Sequence, residues 1–135
     1  MEVRSATSAD VDAILALWVR ADTEPTPTDD APGIEQLLAR SPDALVVATD
    51  GDTIVGSIMV GWDGWRGSMY RLGVLPEHRR RGIGRALVEA GHARLRALGA
   101  VRAGLQLADG EEATDLQIWY TTQLLEGIEG ASAPE

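Results

Sequence analysis

The chain has 135 residues, 44% of them hydrophobic, with a formal charge of −9, two histidines, no lysine and no cysteine. That length holds one domain with a real core and not two, and the net charge argues against general nucleic-acid binding. The absence of cysteine excludes disulfides, a thiolate nucleophile and a Cys-based metal site, and His78 and His92 are too few for a usual zinc set.

Met1-Glu-Val-Arg leads into a polar, strand-like segment rather than a signal peptide, and no apolar run approaches the roughly 20 residues of a membrane helix. The expectation is a soluble, cytoplasmic protein with no membrane, nucleic-acid or metal partner. Val3 to Ala6 reads as a first strand, and Thr7-Ser-Ala-Asp10 as a helix start with an acid three residues on. Val11, Ile14, Leu15, Trp18 and Val19 then form an amphipathic stripe, with Trp18 assigned to the core.

Ala21 to Pro32 holds three prolines and four acids and reads as a surface loop. A short helix built on Ile34, Leu37 and Leu38 follows and ends near Arg40. Ala44 to Thr49 is a continuous apolar strand, Asp50-Gly-Asp52 a hairpin turn, and Thr53 to Val60 an antiparallel partner. Gly61 to Gly67 turns the chain again. Trp62 and Trp65 in this turn either wall an acceptor pocket or cover the end of a sheet.

Ser68 to Val74 is the next strand, and it runs into Leu75-Pro-Glu-His-Arg-Arg-Arg-Gly-Ile-Gly-Arg85. Beyond Gly82 and Gly84, Ile83, Leu87, Leu95 and Leu98 suit a helix that Gly99 ends. The first turn of a helix presents backbone N–H groups without intrahelical partners at the positive end of the dipole, and glycine leaves room for a phosphate to approach them. Arg79, Arg80, Arg81 and Arg85 add positive charge there. From Arg66 to Arg102 the chain carries nine of its twelve arginines and only two acids, Glu77 and Glu89. A local basic site in an acidic body suits a polyphosphate cofactor, while the acidic remainder equally suits ordinary solubility. The loop is not a dinucleotide fingerprint, since Leu87 stands where that motif has glycine, nor a P-loop, which requires lysine.

Val101 to Ala108 reads as a further strand and Ala113 to Leu125 as a helix carrying Leu116, Tyr120 and Leu124. Glu126 to Glu135 has no apolar alternation and reads as a disordered tail behind a single domain of residues 1–125. The order strand, helix, strand around the glycine loop implies a mixed α/β sheet.

Arg79-x-x-Gly82-x-Gly84 after Val74-x-Pro76 resembles the acetyl-CoA motif of the GNAT superfamily of N-acetyltransferases, Arg/Gln-x-x-Gly-x-Gly/Ala, and the order of elements from Val3 to about Leu107 is similar to that family's fold. The resemblance implies a mixed, mostly antiparallel sheet flanked by helices. No sixth or seventh strand is legible, so the C-terminal strands are expected to be missing, leaving an edge that a homodimer could cover. It further implies acetyl-CoA as cosubstrate. Main-chain groups of Leu72 and Val74 would bind the pantetheine arm, and N–H groups from Arg79 through Arg80, Arg81, Gly82, Ile83 and Gly84 to Arg85 the pyrophosphate. Arg79 or Arg80 would meet the ribose phosphate, and the Val74 N–H the developing oxyanion.

An amine acceptor needs a base and the departing thiolate a proton donor. The resemblance points to Tyr120 as donor. For the base, Ser68 to Val74 contains no glutamate, which leaves Asp63, Glu24 and Glu111, with Asp63 the one carried forward. Glu24, Asp29 and Asp30 are candidates for holding a cationic amine, and His78 for shaping the loop. The expected function is transfer of acetyl to a primary amine of a small molecule or a protein. The alternatives are a noncatalytic acetyl-CoA-binding module and an anion-binding α/β domain without CoA specificity.

Overall fold

The computed structural model describes residues 1–21 and 29–106. Five strands, β1 (Glu2–Ser5), β2 (Leu45–Asp50), β3 (Thr53–Trp62), β4 (Gly67–Val74) and β5 (Ala103–Leu105), form one sheet in chain order. β1 to β4 pair antiparallel and β5 joins β4 in parallel. Three helices flank it: α1 (Val11–Arg20), α2 (Ala31–Arg40) and α3 (Ile83–Leu98).

α1 and α3 lie on opposite faces of the sheet, as consecutive residues of β3 show. A Cβ on Gly56 would meet Ile83 and Leu87 of α3, while the next residue, Ser57, accepts a hydrogen bond from Trp18 of α1. Side chains alternate across a strand, so two neighbours touching two helices place those helices on two faces. Burial on both faces explains why β2 and β3 read as nearly continuous apolar runs.

Several elements differ from their sequence reading. α2 begins inside the expected loop, because Asp30 caps it by accepting the Gly33 N–H at 2.7 Å and Pro32 sits in the first turn, where no intrahelical N–H is needed. Thr7 to Asp10 does close a capping arrangement, with the Asp10 carboxylate accepting the Thr7 N–H at 2.8 Å, but it frames a short 3₁₀ turn before α1. The buried stripe of α1 is Val11, Ile14, Leu17 and Trp18; Val19 faces solvent. β3 runs two residues further than expected, to Trp62, and β5 is shorter than expected over the described range. The expected helix over 113–125, the tail over 126–135 and the missing C-terminal strands lie outside the described residues. Among the described residues, no helix is long and apolar enough to cross a membrane.

Candidate active site at the open edge of strand β4

β4 and β5 pair only from Gly67–Ala103 to Met69–Leu105, with a last contact from the Gln106 N–H to the Met69 carbonyl at 2.9 Å. Beyond that point, Tyr70 to Val74 have no β5 partner among the described residues. A cleft of about 450 Å³ lies along the last paired residues of the two strands, lined by Ser68, Met69, Tyr70, Gly104, Leu105 and Gln106. Tyr70 is more than a third exposed on this cleft.

The peptide groups of the open edge can be assigned a direction. Leu75 N–H donates to the Val55 carbonyl at 2.9 Å, so residue 75 turns its main chain toward β3. Main-chain groups alternate along a strand, so those of Val74 face away from β3, into the open side. Between Met59–Tyr70 and Ser57–Gly73 the ladder slips, and Ile58 alone stands opposite Arg71 and Leu72. This β-bulge places Arg71 at φ +56°, a left-handed conformation in a residue with a Cβ.

β4 leads directly into the glycine loop. Arg80 at φ +63° and Gly82 at φ +78° bend the chain so that α3 starts at once, with Gly82 as its N-cap. The first intrahelical bond runs from Ala86 N–H to Gly82 carbonyl, 3.0 Å, so the N–H groups of Ile83, Gly84 and Arg85 have no intrahelical acceptor. Arg80 and Arg81 are exposed beside them. An anion fits this cradle by the chemistry of its donors.

Arg79 has a different place from the one expected. Its Nε donates to the Val74 carbonyl and its Nη2 to the Ala21 carbonyl, each at 3.1 Å, tying the loop to the end of β4 and the end of α1. Arg20 pairs with Glu77 at 2.6 Å, and His78 Nε2 stands 3.5 Å from an Asp50 carboxylate oxygen. The loop is thus strapped on both sides. His92 is buried on the packed face of α3, where burial first and the Arg96 charge second push its pKa down.

Asp63 sits at the other end of β4. Its Oδ1 accepts the Trp65 and Arg66 N–H groups, both at 2.8 Å, in the β3–β4 turn. The eight residues of β4 put it on the order of 24 Å from the glycine loop at ~3.4 Å per residue. Those two N–H donors hold its carboxyl below the usual range, as suits a turn residue. Asp30 is the α2 cap, and Asp29 pairs with Arg71. Trp62 packs on the core at the sheet end, whereas Trp65 is exposed with Arg66 over its ring. Tyr120, Glu24 and Glu111 lie outside the described residues.

Sequence reading missed the Arg71 bulge and the strap made by Arg79. Neither has a local signal: an arginine at positive φ replaces the usual glycine or asparagine, and the Ala21 carbonyl lies 58 positions away in sequence.

Comparison with known proteins agrees with this architecture. The model of the acetyltransferase (GNAT) family matches residues 11–116. An acetyltransferase from Pectobacterium atrosepticum is 39% identical over 84% of this chain and 80% of its own length. Another, from Photorhabdus laumondii, is 39% identical with the same coverage. The crystal structure of the PaiA N-acetyltransferase from Thermoplasma acidophilum in complex with coenzyme A superposes with a TM-score of 0.71 at 14% identity, over 90% of this chain and 87% of that one, a likeness of fold. With its mixed sheet opening at β4 and a glycine-bounded helix behind it, the chain belongs to the acetyltransferase (GNAT) family, enzymes that transfer an acetyl group from acetyl-CoA.

Proposed function

We propose that this acetyltransferase acts on a primary amine, of a small molecule or a protein, by direct attack on the thioester of acetyl-CoA. The observation that carries this reading is the continuity of the open β4 edge with the cradle ahead of α3. Val74 turns its main-chain groups into the open side, and the N–H groups of Ile83, Gly84 and Arg85 cap the path at its phosphate end. Arg80 and Arg81 supply charge to the CoA phosphates, and Gly82 keeps the approach clear.

Bound acetyl-CoA supplies an activated acyl thioester. The Val74 N–H, on the open side, donates to the thioester oxygen as it gains negative charge. The Val74 carbonyl is held by Arg79. We assign Arg79 as the strap that holds the following peptide, and with it the end of β4, rather than as a phosphate ligand. Asp63 is held in the β3–β4 turn by the Trp65 and Arg66 N–H groups, at the opposite end of β4 from Val74, and so lies out of reach of the thioester as a base. Proton donation to the thiolate is proposed for Tyr120 on the chemistry of its phenol.

Calorimetric titration with acetyl-CoA tests the reading, run beside Gly82→Asp, which places an anion in the cradle, and Arg80→Gln/Arg81→Gln, which removes charge without altering glycine. Saturable 1:1 binding, lost in the first variant and weakened in the second, is expected, followed by turnover on a panel of amines. A folded wild-type chain that binds no acetyl-CoA defeats the proposal, and binding without turnover on any amine favours the noncatalytic module.

A further inference from the structure

Four side chains on the α1–α2 face form a ring around the β4 bulge. Asp29, just ahead of α2, pairs with the Arg71 guanidinium, and both side chains are about 15% exposed (14% for Arg71 and 16% for Asp29). The same guanidinium lies over the Trp18 ring, 4.6 Å from its centroid. Trp18 Nε1 donates to Ser57 Oγ at 2.9 Å, and Ser57, fully buried, stands opposite Gly73 in the ladder. The chain of contacts therefore starts at the bulge and returns to β4 two residues further on.

A Cβ at positive φ crowds the backbone, so a left-handed residue in a strand is ordinarily glycine, asparagine or aspartate. Within a paired strand such a conformation costs on the order of 1 kcal/mol, and contacts of the side chain can offset it. Here the side chain meets an ion pair and an aromatic face, both made from the bulged backbone. The bulge in turn decides which way the main chain that follows it faces.

From this juxtaposition we infer that Arg71 is a positioning residue: through Asp29 and Trp18 it locks the bulge that turns the main chain of Val74 into the acetyl-CoA path. The inference rests on the reading given under Proposed function. It makes the backbone conformation at position 71, and not the guanidinium charge, the property that donor binding requires.

Glycine at 71 separates the two, since it adopts positive φ without support. Acetyl-CoA affinity by calorimetry and Tm by thermal unfolding are compared for wild type, Arg71→Gly, Arg71→Ala and Asp29→Asn, and for Asp29→Asn combined with Arg71→Gly. Arg71→Gly is expected to lower Tm yet keep Kd within about twofold, whereas Arg71→Ala raises Kd by roughly tenfold as the strand relaxes to negative φ. Asp29→Asn raises Kd in the arginine background and leaves it unchanged in the glycine background. Equal loss in the glycine and alanine variants, or none in either, overturns the inference. So does an Asp29→Asn effect of equal size in both backgrounds.

Should the wild-type chain bind no acetyl-CoA, the functional reading fails and the bulge is read in the free protein. The strong intraresidue amide–Hα NOE of a positive φ at residue 71 is expected in wild type and absent in Arg71→Ala. Its retention in that variant overturns the inference.

Discussion

Arg79 reaches back over five residues to the carbonyl of Val74, 3.1 Å away, and so closes the glycine loop onto the strand that feeds it. With its second contact to the Ala21 carbonyl, the guanidinium bridges the ends of β4 and α1 from two nitrogens spread over a planar fork, a span that the compact ammonium of lysine does not reproduce. Arg79→Lys is therefore expected to raise the Kd for acetyl-CoA about tenfold, ~1.4 kcal/mol. Calorimetry decides between the two roles: a phosphate-contacting residue would tolerate lysine, so unchanged affinity would assign Arg79 to the ligand instead of the strap.

The buried Trp18–Ser57 hydrogen bond gives a stability prediction. Ser57→Ala leaves the indole N–H without its acceptor in a dry core, at a cost of about 1–3 kcal/mol. Trp18→Phe removes the donor along with bulk. Unfolding in urea should show the double variant losing less than the sum of the singles, because each single leaves one buried polar group without its partner and the double leaves neither.

Gly56 lets α3 approach the sheet where the cradle begins. A Cβ there would stand 3.0 Å from the Ile83 and Leu87 side chains and 3.2 Å from the Gly73 carbonyl oxygen. Both side chains are buried and Ile83 is the first residue of α3. Gly56→Ala should destabilise by about 1–3 kcal/mol through overpacking. Acetyl-CoA affinity should fall with it, since the same contact seats the first helical turn; a stability loss with unchanged Kd would show the cradle to be independent of this contact.

Acid stability carries the signature of one ion pair. Arg4 meets Asp10 through two guanidinium nitrogens at 2.8 and 3.0 Å and, with the Thr7 N–H, holds the Asp10 carboxyl down to about 2. A depressed folded pKa contributes stability in full above the ordinary carboxylate value of about 4 and loses it as pH falls from there toward about 2. Asp10→Asn should therefore destabilise at neutral pH by of order 1 kcal/mol, discounted because Arg4 is about a third exposed (35%). At pH 2 the difference from wild type should nearly vanish. Denaturation across this range that runs parallel in both proteins would show that Asp10 titrates normally.

Local chemistry explains what could be read before the fold was known. The stripe from Val11 to Trp18 and the glycines bounding α3 act within a few residues, and so does the two-residue turn at Gly51-Asp52. The same holds for the strand–loop–helix signature that led to the phosphate cradle. Expectations that depended on which side of an element a residue takes were less secure. Val19 sits on the apolar side of the sequence pattern yet faces solvent, while Leu17 is buried in its place. Asp63 satisfied the composition of a base but is held by its own turn.

The amino-acid sequence by itself thus determined the order of elements, the helix that starts at Gly82 and the family, because these follow from contacts between near neighbours and from a contiguous motif. Only the tertiary structure decided that Arg79 bonds the carbonyls of Val74 and Ala21, that Arg71 stands at a bulge with its guanidinium over Trp18 and that the main chain of Val74 faces the open edge. The physical reason is register: one slip between β3 and β4 reverses which peptide groups and side chains face the site, and that slip joins residues distant in sequence, such as Ser57 with Gly73 on its one side and Met59 with Tyr70 on the other.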